Sequence, residues 1–251
     1  MMTTGSRWGA WLLALLLMLG AVPTFAKTPS DQLIIGMNMN NLLTLDPAAM
    51  TGNEAVGMMV NLYDPLVELD PKRLSNVRPA LAESWQISPQ GDSIRFHLRR
   101  GVTFHSGNPL TAEDAVWSMR RVLHLNLAQA SVWKSYGFTR DNVDSHVRAP
   151  DPWTVEITLP QPGDPQLVIY SLAALGNVVV LDSKTVQAHA QNGDWGNRWL
   201  TTHAAGSGPF SLEVWQAKDR LTMVRNPRYW RGEPKLARVV FRHFQESQTL
   251  R

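Results

Sequence analysis

The chain has 251 residues, a formal net charge of +3, 44% hydrophobic and 18% charged residues, and no cysteine. These proportions are those of an ordinary globular protein. The small net charge, with no run of Lys or Arg longer than two residues, argues against a nucleic-acid-binding protein. The absence of cysteine excludes a disulfide framework.

The first 26 residues have the three parts of a secretory signal peptide. Arg7 supplies a basic start, Ala10–Leu19 is an apolar run, and Thr24, Phe25 and Ala26 form a small-x-small cleavage site. A membrane-spanning helix needs about 20 apolar residues, so a cleaved signal is favoured over a membrane anchor. We expect cleavage after Ala26. Because no cysteine is present to carry a lipid, we expect a free periplasmic protein without a lipid anchor.

Beyond the signal, the pattern of apolar residues predicts a mixed α/β protein. Asn53–Tyr63 has helical spacing, with Val56, Met59 and Val60 on the expected apolar face. The other elements predicted in the first third are a buried strand at Gln32–Gly36, a polar loop at Asn38–Thr44, a turn at Leu45–Pro47, an edge strand at Leu66–Leu69 and a short helical turn at Pro79–Trp85.

The middle of the chain contains the clearest strand and helix patterns. Apolar and polar residues alternate in Ser93–Phe104 and again in Trp153–Leu159, which is typical of half-buried strands. Thr111 is a predicted helix N-cap, and Asp114 completes a variant capping box. A helix of about three turns follows. Residues 125–150 lack clear periodicity.

The final third is predicted to be rich in strands. Phe210–Val214 and Leu221–Arg225 form a hairpin around the turn Ala217–Arg220. The remaining predictions are a helix at Gln166–Leu175, a buried strand at Val178–Leu181, a short helix at Ser183–Gln191, a loop at Asp194–Thr202, a strand at Ala237–Phe244 and a helix start at Gln245–Arg251.

Catalytic and metal-binding patterns are absent from the sequence. The seven histidines are scattered, without the i, i+4 pair and Glu of a zinc hydrolase, and there is no Gly-x-Ser-x-Gly elbow or phosphate-binding loop. Asp46, Asp64 and Asp70 each precede a proline, which suits turn formation. We therefore predict no enzyme activity, no catalytic residue, no metal ligand and no cofactor.

An ordered series of short segments resembles a known family. The segments are Gly36–Pro47, Leu62–Leu66, Pro79–Trp85, Ile94–Gly107, Pro109–Val116, Gly206–Phe210 and Arg225–Trp230. Together, over residues 33–251, they resemble the extracellular solute-binding proteins of the peptide/nickel family, which includes dipeptide- and oligopeptide-binding proteins. Members of that family are much longer, so we expect the second half, with most of the second lobe, to be absent here.

The resemblance implies a type II, cluster C-like periplasmic binding protein of the α/β class, whose two lobes close on a ligand. Residues 27–60 and 196–251 would build the first lobe, and residues 61–195 an extra α+β subdomain. The implied function is capture of short peptides by a monomer that delivers them to the permease of an ABC importer. Alternatives are a nickel, haem or other small-solute binding protein, a chaperone or receptor-docking protein, and a truncated fragment without function.

The resemblance also suggests ligand-binding residues. Asn40, Asn41 and Leu42 match a ligand-facing loop, with an ordinary turn as the alternative. Trp133 and Tyr136 lie where relatives place an aromatic residue over the ligand, with the subdomain core as the alternative. Ser207, between two glycines, either approaches the ligand or starts a strand that requires small residues for packing.

Overall fold

The computed structural model describes residues 28–174 and 179–244, and those of them from Asp31 to Phe244 form one compact unit. The described strands are β1 Gln32–Met37, β2 Val67–Asp70, β3 Arg73–Pro79, β4 Ala82–Ile87, β5 Ser93–Leu98, β6 Val147–Asp151, β7 Thr154–Thr158, β8 Phe210–Gln216, β9 Arg220–Arg225 and β10 Arg238–His243. The described helices are α1 Asn53–Leu62, α2 Ala112–Leu125, α3 Ala130–Ser135, α4 Val143–His146, α5 Pro165–Ala174, α6 Ser183–Ala188 and α7 Asn197–Leu200.

The first sheet joins the two ends of the described chain. Its strand order is β1-β10-β9-β8. β1 and β10 are parallel, so Met37 and His243 lie side by side at their carboxyl ends. The other two pairings are antiparallel.

The intervening residues build a second sheet of order β4-β5-β7-β6, antiparallel throughout, and a separate hairpin of β2 and β3. The capping box is present at the start of α2, where the Thr111 side chain accepts from the Asp114 backbone and the Asp114 carboxylate accepts from the Thr111 backbone. The buried stripe of α2 includes Val116, Met119 and Val122. α2 has 14 residues, about four turns and not the predicted three.

Buried apolar residues form two cores. The first core contains Met39, Leu45, Met58, Leu221 and Phe241 and lies between the first sheet, α1 and the loop that follows β1. The second core contains Phe96, Val116, Trp133, Val155 and Ile169 and fills the space between the second sheet, α2 and α5.

Three predicted elements differ from the structure. Pro79–Trp85 is not a helical turn, because Ala82–Ile87 pairs with β5 as a strand. β1 is not buried: it is an edge strand among the described residues, and Leu33 and Ile34 are exposed. Val102–Phe104 forms only an isolated bridge, between Thr103 and Pro109.

Other differences concern faces and short elements. In α1 the buried residues are Ala55, Met58, Met59 and Leu62, whereas Val56 and Val60 are exposed. Asp194–Thr202 contains the short helix α7. Val179 makes an isolated bridge with Pro65, so the predicted strand there is wrong for residues 179–181, and residue 178 lies outside the described residues. The predicted signal peptide and the helix start at 245–251 also lie outside them.

Candidate functional site

The loop that follows β1 lies at the carboxyl end of a parallel strand pair. In open α/β sheets, ligands bind in the crevice outside the carboxyl ends of the parallel strands. Here that edge is formed by Met37 and His243, which are direct neighbours across β1 and β10. The loop Asn38–Thr44 leaves the sheet at this point. This loop is therefore the candidate ligand-binding site.

Two buried side chains anchor this loop while its asparagines face outward. Met39 and Leu42 belong to the first core, whereas Asn38, Asn40 and Asn41 are exposed. The Asn40 N–H donates to Asn38 Oδ1 over 2.9 Å, and the Leu42 N–H donates to the Met39 carbonyl over 3.1 Å. These bonds form a tight turn that presents the amides of Asn40 and Asn41 to solvent.

His243 ties the loop to β10, and the sequence did not reveal this. The Met39 N–H donates to His243 Nδ1 over 3.0 Å. A ring nitrogen that accepts a hydrogen bond carries no proton, so the neutral imidazole carries its proton on Nε2. Only the register of the parallel pair brings residues so distant in sequence together.

A buried ion pair supports the loop from behind. Arg121 donates to both carboxylate oxygens of Asp46 over 2.8 and 2.6 Å, and both side chains are fully buried. Asn197 Nδ2 donates to the same carboxylate over 2.7 Å, and Arg121 Nε donates to the Trp195 carbonyl over 2.7 Å. A buried pair needs such additional hydrogen bonds to offset its desolvation. The segment after the loop is thereby fixed to α2.

Ser207 is 1% exposed, and its side chain is hydrogen-bonded within the protein. Its hydroxyl donates to Asp64 Oδ2 over 2.7 Å, and the Tyr229 hydroxyl donates to Asp64 Oδ1 over 2.9 Å. Burial raises the pKa of the Asp64 carboxyl, against the lowering effect of these two hydrogen bonds. This arrangement fits the alternative that Ser207 serves packing at the start of β8.

Trp133 belongs to the second core, and Tyr136 packs against it. Trp133 is 2% exposed and meets Phe138 edge-on at 5.3 Å between ring centroids. The Tyr136 hydroxyl lies 2.6 Å from Ser171 Oγ. The burial of Trp133 fits the core alternative. The structure thus leaves Asn40 and Asn41 as the predicted residues with free side chains at the sheet edge, while Leu42, Trp133 and Ser207 are buried.

Neither a metal cluster nor a membrane span is found in residues 28–174 and 179–244. No three His, Asp or Glu side chains there are grouped as they would be around a metal ion. No helix in the same ranges has the length and apolar character to cross a bilayer.

The fold and the loop at its parallel edge define a class: the first lobe of a type II periplasmic binding protein. Residues 76–251 match the model of the family described as bacterial extracellular solute-binding proteins, family 5 Middle. The chain belongs to this family, whose members are transport-related binding proteins and not enzymes.

Two curated relatives show the extent of the similarity. The chain is 32% identical over 243 residues to the probable D,D-dipeptide-binding periplasmic protein DdpA of Escherichia coli K12, covering 96% of this chain and 44% of DdpA. It is 32% identical over 196 residues to the peptide transport periplasmic protein SapA of Salmonella typhimurium, covering 73% of this chain and 34% of SapA. The chain therefore spans less than half the length of these relatives.

Solved structures agree on the fold. The periplasmic binding protein DppA from Helicobacter pylori, in complex with peptide STSA, aligns with a TM-score of 0.70 and 27% identity over 87% of this chain and 44% of that one. MoaA from A. tumefacien R10, in complex with mannopinic acid, aligns with a TM-score of 0.73 and 26% identity over 87% of this chain and 42% of that one.

Proposed function

We propose that this chain is the first-lobe part of a periplasmic solute-binding component of an ABC importer, which captures short peptides and delivers them to a membrane permease. The observation that carries the proposal is the anchored loop Asn38–Thr44 at the carboxyl edge of β1 and β10. The proposal is supported by relatives named for dipeptide binding and peptide transport and by a neighbour solved with a bound peptide.

The chemistry of the loop suits a peptide backbone. Exposed Asn side chains offer both donors and acceptors, which match the alternating N–H and C=O groups of a peptide. Amide–peptide hydrogen bonds do not depend on the ligand's side chains. We therefore assign Asn40 and Asn41 to backbone recognition, with the Leu42 side chain as an anchor of the loop, and we retain Tyr136 as a further candidate contact.

The domain assignment forms part of the same proposal. Residues 1–26 are a signal peptide cleaved after Ala26, residues 27–60 and 196–251 belong to the first lobe, and residues 61–195 form the subdomain. The protein acts in the periplasm as a monomer.

NMR tests the proposal: the amide chemical shifts of the chain are recorded while di- and tripeptides are added. We expect weak binding, in the millimolar range or weaker, because the chain spans less than half the length of its relatives and one wall of a clamp buries little of the ligand. The perturbed amides should lie within Asn38–Leu43. Asn41→Ala should reduce the peptide-induced shift changes severalfold. Asn76→Ala, at an exposed position in β3, should leave them unchanged.

The outcome also distinguishes the alternatives. Shifts in this loop caused by nickel or haem, with none across a broad peptide panel, would overturn peptide capture in favour of another solute. Peptide-induced shifts confined to residues elsewhere would overturn the assignment of the loop.

A further inference from the structure

Two arginines lie against Trp230, and a third is linked to one of them through Glu68 of β2. The guanidinium carbons of Arg99 and Arg231 lie 4.9 and 4.4 Å from the Trp230 ring centroid. Arg231 Nη1 donates to Glu68 Oε1 over 2.6 Å. Arg78 Nε donates to that same oxygen over 2.8 Å. The sequence analysis did not predict this cluster.

Positive charge exceeds negative charge in the cluster. The cluster contains three guanidinium groups. Two of them bind Glu68, and the charge of Arg231 also acts on the buried Asp64. Both Asp64 oxygens are already occupied by the hydroxyls of Ser207 and Tyr229. Glu68 uses a single oxygen for two arginines. The carboxylates therefore leave part of the positive charge unmatched.

Most guanidinium donors of the cluster have no partner within the described residues. A guanidinium has five N–H groups. Arg78 makes one hydrogen bond, through Nε to Glu68, and its side chain is 44% exposed. Arg99 also makes one, through Nε to the Ala80 carbonyl. The Nη groups of both arginines remain available, and planar guanidinium forks match the oxygens of phosphate and carboxylate groups.

We propose that Arg78, Arg99 and Arg231 form a binding site for an oxyanion of the phosphate type. Stacking on Trp230 and the bond to Glu68 hold the guanidinium groups in place before the anion arrives. This pre-positioning reduces the side-chain entropy lost on binding. The site is separate from the loop Asn38–Thr44 and does not depend on the proposed peptide function.

A second arginine pair in the same chain provides a matched control. Glu156 accepts from Arg95 Nε on Oε2 over 2.6 Å and from Arg148 Nη2 on Oε1 over 3.1 Å. Each oxygen thus has its own arginine, and neither arginine stacks on an aromatic ring in the described part of the chain. This arrangement also has two arginines on one carboxylate, but it lacks the third cation and the tryptophan.

Calorimetric titration of the chain with inorganic phosphate, against chloride at equal ionic strength, tests the site. We expect saturable phosphate binding. Arg78→Gln should weaken it about tenfold, since one charge-assisted contact is lost. Glu68→Gln should tighten it a few-fold, because the competing carboxylate charge is removed while the amide oxygen of glutamine still accepts from Arg78 and Arg231. Arg95→Gln, the control, should leave it unchanged.

Two phosphate sources are distinguished by a second titration with glycerophosphoglycerol, the soluble headgroup of an anionic phospholipid. Binding of both compounds indicates a lipid headgroup as the natural ligand, and binding of inorganic phosphate alone indicates free phosphate. The proposal is overturned if neither compound binds more tightly than chloride. It is also overturned if Arg78→Gln and Arg95→Gln weaken binding equally, or if Glu68→Gln fails to tighten it.

Discussion

At the scale of single residues, burial decides which polar and aromatic side chains remain free for a ligand. Asn40 and Ser207 are both small polar residues outside the helices and strands, yet Asn40 is exposed and Ser207 is bonded to Asp64. Trp133 likewise has its indole in the second core. Residue type and spacing could not separate these cases, because burial depends on the packing of distant segments.

His105 makes the folded state sensitive to pH. Burial lowers the pKa of its imidazole, while the bond to the Gly208 carbonyl and the charge of Asp64 act in the opposite direction. The folded state therefore favours the neutral ring. The resulting stability is complete above the unfolded pKa of about 6.5. It is lost as the pH falls through 6.5 towards the lower folded pKa.

We predict that the free energy of unfolding falls less between pH 7 and pH 5 in His105→Gln than in the original protein. The reason is that glutamine cannot be protonated in this range. Urea unfolding at a series of pH values measures this. His203→Gln serves as the control, since His203 is exposed. An unchanged pH profile in His105→Gln would show that the partly buried ring does not contribute.

At the scale of elements, the pattern of apolar residues was sufficient to predict a helix or strand when one face of that element packs against one core. Ile94, Phe96 and Leu98 alternate, are buried and form β5, and the box of Thr111 and Asp114 starts α2. The prediction failed at Pro79–Trp85, where good helix formers lie in a strand. There, pairing of β4 with β5 around a bulge outweighs local propensity.

The end of α1 is packed directly against the chain before β8. A Cβ added to Gly208 would lie 2.5, 2.6 and 2.7 Å from Asn61 O, Leu62 C and Tyr63 N. We predict that Gly208→Ala lowers the free energy of unfolding by about 1–3 kcal/mol, because backbone must shift to admit the methyl group.

Chemical denaturation measures the effect of Gly208→Ala, and Gly57→Ala provides the opposite case in the same experiment. No atom lies within 4 Å of a Cβ added to this glycine in α1. It should stabilise the protein by up to about 1 kcal/mol through helix propensity. Equal effects of the two substitutions would contradict the close approach at Gly208.

At the scale of the whole molecule, one ion pair connects the two cores. Asp46 lies in the segment beside the first core, and Arg121 comes from α2, whose apolar stripe belongs to the second core. Removing one partner leaves an uncompensated buried charge. We predict that Arg121→Leu lowers the free energy of unfolding by about 3–5 kcal/mol.

The double variant Asp46→Leu, Arg121→Leu should lose less than the sum of the two single variants, since neither charge is then left unpaired. Chemical denaturation of the three variants measures the coupling. A loss below about 1 kcal/mol in Arg121→Leu would mean that water replaces the arginine at this position.

The sequence alone determined the α/β class, the strands β5, β7, β8 and β9, the helix α2, and the resemblance to solute-binding proteins of the peptide/nickel family. These depend on periodicity, capping and ordered short segments, all of which are local along the chain. Only the tertiary structure decided that β1 pairs in parallel with β10 and that His243 holds the loop after β1. It also decided that Arg99 and Arg231 lie against Trp230 while Arg78 and Arg231 share Glu68. These features join residues far apart in sequence. The packing of the whole fold, which no local pattern encodes, brings them together.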